Sequence, residues 1–290
     1  TALKATTKGG LLDIGGATIA DVATGEDDNY AYSDVSGITS DQFINAGVAV
    51  DNNEAGAGIS GGFKNVQLTG DATELMVNGT LQLAGSTAGG DLVATNGDNP
   101  GNLNVQNGSV ATLGREDANN QGTLGDVTLN ASGILNVIGQ GRAEFTTDNI
   151  VATGGGTTAV VNVSGATLNT QQIDPTNGLS KLNITNGAVH AAGDVKVNDL
   201  ALAGGVLAAH EAGGAAGTPD GGDITISNTL SGQGSVVADK TLTLTAGYTG
   251  AADDVLTLQA GGNITAEGQN LTQANNGKLT VVAGGTITAK

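Results

Sequence analysis

Two short stretches, Val161–Leu168 (VNVSGATL) and Leu182–Val189 (LNITNGAV), repeat one pattern of residue types. Each begins with apolar, Asn, apolar, continues through a polar residue to a glycine, and ends on another apolar residue. Alternation with a period of two predicts a strand with one face toward a core, and the glycine predicts a sharp bend. We take the interval from Gly165 to Gly187 as one turn of a solenoid.

Similar segments recur from residue 63 onward, and the intervals between their bend glycines are unequal: they are longer from Gly79 to Gly108 and on to Gly139 than from Gly165 to Gly187. A fixed pattern at a variable interval predicts a constant coil that carries loops of different length. No segment shows sustained apolar spacing of three and four, so almost no helix is expected. The predicted fold is an all-β parallel β-helix over residues 63–290, and its segments are Leu75–Leu81, Leu103–Val110, Leu135–Gly139, Ile224–Ile226, Leu242–Leu244, Leu256–Gly261 and Leu279–Gly284.

Residues 1–62 differ from the repeats. They contain the acidic run Glu26–Asp28 and three of the six aromatic residues of the chain, Tyr30, Tyr32 and Phe43. The end coils of a solenoid are atypical because they must cover unpaired backbone. We therefore expect an N-terminal cap or assembly segment here. A long exposed loop is predicted at about residues 211–222, which are rich in glycine.

Composition and charge exclude several classes of protein. The formal net charge is −18, which disfavours binding to nucleic acid or to anionic membrane surfaces. The chain has no cysteine, so disulfides and thiolate metal sites are excluded. No apolar run is long enough to span a bilayer, so this segment is not expected to insert into a membrane. Because residue 1 is threonine, we expect a processed form or an excised fragment.

Signals of catalysis are sparse. Gly58–Gly62 (GISGG) fits the G-x-S-x-G pattern of a hydrolase nucleophile, and the two histidines are His190 and His210. No helix is expected after Gly62, so a chance match is the preferred interpretation, and both histidines are interpreted as ordinary surface residues. The acids are scattered, and only 10 Lys and Arg accompany them. The sequence therefore predicts a protein that is not an enzyme and has no cofactor.

Calcium is a separate hypothesis, because an acidic, glycine-rich β-protein suggests it. The nonapeptide G-G-x-G-x-D-x-U-x that supplies calcium ligands in β-rolls is absent. The candidates for loosely bound calcium are the neighbouring carboxylates Asp27 and Asp28, and Asp253 and Asp254. Incidental surface charge is the preferred interpretation for both pairs.

The repeated Leu-Asn-Val-x-x-Gly-x-Leu/Val pattern, the excess of Gly, Asn and Thr, the acidity and the lack of cysteine resemble the passenger regions of bacterial autotransporters and filamentous-haemagglutinin-like exoproteins. The resemblance covers roughly residues 63–290. It implies a right-handed parallel β-helix, a bacterial cell-surface or extracellular location, and a role in adhesion, aggregation or surface coating.

Three functions follow as hypotheses. The first is a self-assembling structural subunit of a bacterial surface filament, coat or layer, whose partners are other copies of the chain and whose contacts involve Tyr30, Tyr32 and Phe43. The second is an adhesin passenger that binds a host or neighbouring cell as a monomeric stalk. The third is a β-helical enzyme that degrades polysaccharides. Solenoid ends invite strand addition, which favours the first.

Overall fold

The computed structural model describes residues 102–114, 116, 121–154, 158–210 and 221–290 in full, and before residue 101 it describes only the backbone of nine strands. Those nine are β1 (Ala2–Thr7), β2 (Gly10–Thr18), β3 (Val22–Thr24), β4 (Tyr30–Tyr32), β5 (Gln42–Asn45), β6 (Asn65–Val66), β7 (Glu74–Asn78), β8 (Thr80–Leu83) and β9 (Asp91–Leu92). The remaining strands are β10 (Asn102–Val105), β11 (Val110–Gly114), β12 (Gln121–Thr123), β13 (Val127–Asn130), β14 (Ile134–Ile138), β15 (Glu144–Thr153), β16 (Val160–Ser164), β17 (Thr167–Ile173), β18 (Leu179–Thr185), β19 (Ala188–Ala191), β20 (Val195–Ala209), β21 (Ile224–Ala238), β22 (Leu242–Leu244), β23 (Tyr248–Gly250), β24 (Val255–Ala260), β25 (Ile264–Thr265), β26 (Leu271–Gln273), β27 (Lys278–Ala283) and β28 (Ile287–Thr288).

The strands stack as a parallel β-helix, which confirms the predicted fold class. Sheet one runs through β10, β13, the second half of β15, the end of β17, the starts of β20 and β21, and then β22, β25 and β28. Sheet two contains β11, β14, β16, β18 and the middles of β20 and β21. Sheet three contains β12, the first half of β15, the starts of β17 and β19, the ends of β20 and β21, and then β24 and β27. Every pairing among these strands is parallel.

Alternate residues of each strand point inward and stack on the equivalent residues of the next coil. The core therefore consists of rows of stacked aliphatic side chains, here called files. Each member below is at most 4% exposed. The file of sheet one is Leu103, Val127, Ile150, Ile173, Val195, Ile224, Leu242 and Ile264; that of sheet two is Ala111, Leu135, Val161, Leu182, Leu200 and Leu230; and that of sheet three is Phe145, Leu168, Val189, Leu207, Val236 and Leu258.

The asparagine of the repeated pattern forms a ladder on the outside of sheet two. Asn162 Nδ2 donates to Asn136 Oδ1 at 2.8 Å, and Asn183 Nδ2 donates to Asn162 Oδ1 at 2.6 Å. Asn136 Nδ2 extends the ladder to Thr112 Oγ1 at 3.2 Å. An amide donates and accepts at once, so one residue type can satisfy neighbours above and below it. The need to donate and accept hydrogen bonds along the ladder explains why the repeated pattern has an asparagine between its two apolar residues.

Acids and amides at the corner before sheet one bind the backbone of the next coil. Asp126 N donates to Asn102 Oδ1 at 2.8 Å, and Asp223 N donates to Asp194 Oδ1 at 2.9 Å. These side chains accept the N–H groups that the ladders leave free at a corner. Burial first, and the charge of Asp126 second, raise the pKa of Asp148 in the same region. Some acidic side chains, such as Asp194, therefore accept hydrogen bonds from the backbone of the same protein.

The repeated segments do not all lie in one sheet. The intervals between their glycines therefore do not all measure the length of one coil, as the sequence analysis assumed. Leu103–Val105 pairs with Val127–Leu129 in sheet one, whereas Leu135–Val137 pairs with Val161–Val163 in sheet two. One coil therefore runs from Leu103 to Val127, and the longer interval between Gly108 and Gly139 crosses from one sheet to another. The pattern recurs on different faces because each face buries alternate residues in the same way.

The bends of the two opening stretches are not both made by glycine, as the sequence analysis had expected for Gly165 and Gly187. Gly165 has φ of 65°, and Asn186, which follows the aligned pair Ser164 and Thr185, has φ of 48°. Asn186 and not Gly187 is thus the left-handed residue of the second stretch, and the turn from Val161 to Leu182 is slightly shorter than the glycine spacing suggests. Asparagine tolerates this conformation better than other residues with a side chain.

The early strands include antiparallel pairs. β1 pairs with β2, β2 with β5, and β3 with β4, all antiparallel, whereas β5 pairs with β7 in the parallel sense. The proposed division at residue 62 stays a prediction. The long loop predicted at 211–222 falls between β20 and β21, and residues 211–220 lie outside the described part of the chain.

No residue that the structure describes belongs to a helix, which agrees with the expectation from the sequence. Within that part of the chain there is accordingly no helical segment able to cross a membrane.

Candidate functional site

A polar groove lies on the outer surface of sheet three. Thr146, Asn169 and His190 align in consecutive coils, with Thr146 paired to Asn169 and Asn169 paired to His190. Each points outward because its neighbours in the strand, such as Leu168 and Val189, fill the core. The same outward row continues to Ala208 in β20. Strand alternation and parallel register thus bring together three residues that are distant in sequence.

The groove encloses about 330 Å³ and is lined by residues of three successive strands, β15, β17 and β19, together with Ala192 just after β19 and His210 just after β20. Asn169 Nδ2 donates to Glu144 Oε1 at 2.6 Å, which fixes both side chains at one end. At the other end, His210 Nδ1 lies 2.8 Å from Asp239 Oδ2. The lining residues are Glu144, Thr146, Thr147, Asn169, Thr170, Gln171, His190, Ala192 and His210.

Two inward threonines lie beneath this surface. Thr170 Oγ1 donates to the carbonyl oxygen of Asp148 at 2.8 Å. Thr147 occupies the aligned position one coil earlier and is 1% exposed, yet within the described residues its Oγ1 has no hydrogen-bond partner. A buried hydroxyl without a partner is costly, so it requires an explanation.

The His190 imidazole is half-buried in the wall of the groove. Burial lowers the pKa of His190 below its ordinary value of 6.5, the positive charge of His210 lowers it further, and Glu144 opposes both effects. A buried imidazole loses hydration when it becomes charged, so its neutral form is favoured. His190 therefore offers one ring nitrogen as a donor and the other as an acceptor at neutral pH.

This lowered pKa predicts a loss of stability in weak acid. In the unfolded chain His190 takes up a proton near its ordinary value of 6.5, whereas the folded chain resists it. Its contribution to the free energy of unfolding is complete above that pH and falls as the pH decreases toward the folded pKa. Urea unfolding of the wild type and His190→Gln between about pH 7.5 and pH 5 should show a shallower decline in the variant.

The control is His210→Gln, whose ring is 58% exposed. It should keep most of the wild-type decline, because burial of His190, and not the charge of His210, is the larger cause. Identical pH dependence in the wild type and His190→Gln would contradict the assignment.

The calcium candidates that the structure describes are Asp253 and Asp254. Asp253 is exposed with φ of 67°, and Asp254 Oδ2 accepts a hydrogen bond from Ala251 N at 3.1 Å, which closes its own turn. In the described part of the chain no group of three or more acidic or histidine side chains is placed to hold a metal ion. Calcium takes about six to eight oxygen ligands. Loose calcium binding at this turn stays a prediction.

Several other predicted residues cannot be compared with the structure. Asp27 and Asp28 lie outside the described residues, and so does the serine motif at Gly58–Gly62. For the proposed assembly residues only the backbone is described. Tyr30 and Tyr32 lie in β4, which pairs with β3, and Phe43 lies in β5 opposite Met76 of β7.

Sequence reasoning found the two histidines but missed Glu144, Thr147 and Asn169. Val189 is fully buried and His190 points outward, as expected from their alternation. Asn169 aligns with Thr146 and with His190 through two steps of unequal length along the chain, and Glu144 and Thr147 lie near Thr146 in β15. The alternation that buries Leu168 also predicts that Asn169 points outward. The sequence does not show, however, which residues of β15 and β19 pair with Asn169.

Comparison of the chain with protein-family models, curated proteins and solved structures finds no match.

Proposed function

We propose that this chain is a non-enzymatic, extracellular structural protein that assembles with further copies of itself into a bacterial surface filament, coat or layer. The observation that carries the proposal is the apolar surface of the last described coil. In β24, Leu256 and Leu258 are fully buried, whereas their aligned counterparts in β27, Leu279 and Val281, are only partly buried. Among the described residues, no further coil packs over the far side of β27.

Sheet one shows the same exposure at this end. Ile264 in β25 is fully buried, but Ile287, its partner in β28, is 47% exposed. Within the described residues, β27 and β28 pair with strands on one side alone. A coil that paired with β27 and β28 on the other side would satisfy their backbone groups and bury the aliphatic side chains beside them.

A second copy is the occupant that this geometry fits best. In the proposed assembly, this end of one copy meets the opposite end of the next copy. Such a heterologous contact repeats without closing and builds a filament. The core-facing positions at this end carry Leu279, Val281 and Ala283, none of which is charged. Contact with another aliphatic coil would therefore bury no charge at these three positions.

The remaining parts of the proposal rest on the sequence. The resemblance to autotransporter passengers and filamentous-haemagglutinin-like exoproteins supports a bacterial surface location and a right-handed column. The net charge of −18 argues against nucleic acid and anionic membranes as partners. We infer that no cofactor is required, because the sequence has no cysteine and its acidic residues are scattered.

The proposal is tested by placing a charge within the uncovered surface. Val281→Lys changes a residue of the core file, whereas Val282→Lys changes its 50% exposed neighbour on the outer side of the same strand. Light scattering and electron microscopy of purified protein should show assemblies for the wild type and Val282→Lys. Val281→Lys should remain small, because burying its ammonium between coils is unfavourable.

Deletion of residues 1–40 gives a second test, which addresses the segment that contains Tyr30 and Tyr32. It should leave a folded column that does not assemble. Circular dichroism separates loss of assembly from loss of folding in each variant. A wild type that stays monomeric at all concentrations would overturn the proposal and favour the adhesin alternative, a monomeric stalk. Cleavage of a polysaccharide would favour the enzyme instead.

A further inference from the structure

We propose that the groove on sheet three binds an extended, uncharged saccharide. This inference is independent of the assembly described above, because the groove lies on the side of the column and the uncovered coil lies at its end. It uses residues that the core and the corners do not require, above all Glu144, Asn169 and His190.

The groove has the direction and the repeat of a chain of similar units. Its residues come from four successive coils, so it runs along the column axis and crosses the strands. Parallel strands lie about 4.8 Å apart, which makes the groove about 14 Å long. One step of this spacing is close to the length of one sugar ring in an extended chain. Polar side chains thus recur at the interval at which a saccharide presents its hydroxyl groups.

The polar groups match hydroxyl groups, which both donate and accept. Glu144 is held by Asn169 at 2.6 Å and keeps lone pairs that can accept from a ligand. No described residue hydrogen-bonds the His190 ring, and its neutral form offers one donor and one acceptor. The Gln171 amide lies in the same wall. A ligand that only donates or only accepts would satisfy fewer of these groups.

The charge of the site selects against anions. Glu144 lies at one end of the groove, Asp239 is paired with His210 at the other, and the whole chain carries −18. Uronic acids, sulfated sugars and phosphates would be repelled. No phenylalanine, tyrosine or tryptophan is among the lining residues, so no large ring is present to stack on a sugar and the affinity should be modest.

The test uses cellotetraose and chitotetraose as uncharged probes and tetragalacturonate as the anionic control. Binding is followed by NMR on the imidazole resonances of His190 and by calorimetry, with the full chain. The variants are Asn169→Ala, which removes an amide from the groove, and His190→Gln, which removes the imidazole and is followed by calorimetry alone. The matched control is Asn228→Ala on sheet two, where Asn228 Nδ2 donates to Asp199 Oδ1 at 2.7 Å.

At least one uncharged probe should shift the His190 resonances, and tetragalacturonate should not. Asn169→Ala and His190→Gln should each weaken binding about fivefold or more, while Asn228→Ala leaves it unchanged. The inference is overturned if no uncharged probe binds, if the anion binds equally well, or if Asn169→Ala and His190→Gln leave binding intact.

Discussion

Replacing Gly165 with alanine is expected to lower the free energy of unfolding by about 2–5 kcal/mol. Gly165 has φ of 65°, a conformation in which a side chain is strained. A Cβ at this position would also overlap the carbonyl oxygen of Gly139, which belongs to the coil before. The overlap involves backbone on both sides, so it cannot be relieved unless adjacent coils move apart. Urea unfolding monitored by circular dichroism measures the change.

Gly141→Ala is the matched control for this prediction. Gly141 has φ of 67°, almost the same as Gly165, but a Cβ there would meet nothing within 4 Å. The free energy of unfolding of this variant should fall only by the cost of placing a side chain in the left-handed conformation, about 1–2 kcal/mol. The difference between the two variants therefore isolates the contact between coils. Equal losses in the two would show that the coils do not approach each other at this corner as described.

Replacing Phe145 with alanine is expected to cost about 3–5 kcal/mol, because it leaves a cavity in a packed column. Phe145 is 1% exposed and is one of the largest fully buried side chains. Its ring lies against Gly114, where an added Cβ would be 2.9 Å from Cζ of Phe145. The aligned position in the coil before is Gly122, so one large residue fills the space that two glycines leave.

Thr146→Ala, at the exposed neighbour of Phe145, serves as the control and should change stability by less than about 0.5 kcal/mol. The stability loss of Phe145→Leu should lie between the losses of Phe145→Ala and Thr146→Ala, because leucine keeps part of the buried volume. Chemical unfolding of the three variants under identical conditions gives the comparison. A loss below about 1 kcal/mol for Phe145→Ala would contradict close packing of this coil.

The strands and the aliphatic files could be predicted from the sequence because both depend on local alternation. Val161 and Val163 are buried and Asn162 between them is not, as the alternation of apolar and polar residues requires. The assignment of segments to sheets could not be predicted in this way. Leu103–Val105 and Leu135–Val137 have the same local pattern, and only the corners between them place one in sheet one and the other in sheet two.

The candidate site was less predictable than the fold. His190 was identified as an outward residue, but a groove requires several side chains from different coils. The step between coils in sheet one is short from Ile224 to Leu242 and much longer from Val195 to Ile224. Without a constant repeat, the residue above or below a given side chain cannot be found by counting.

The sequence by itself predicted a column of parallel strands over residues 63–290, since short alternating aliphatic segments separated by glycine bends bury their narrow apolar faces when they stack. Only the tertiary structure decided which residues are neighbours along the column. Asn186 replaces a glycine at one bend, and Glu144, Asn169 and His190 meet in one groove. The physical reason is that register between coils depends on the length and conformation of every corner, a property that no single segment carries.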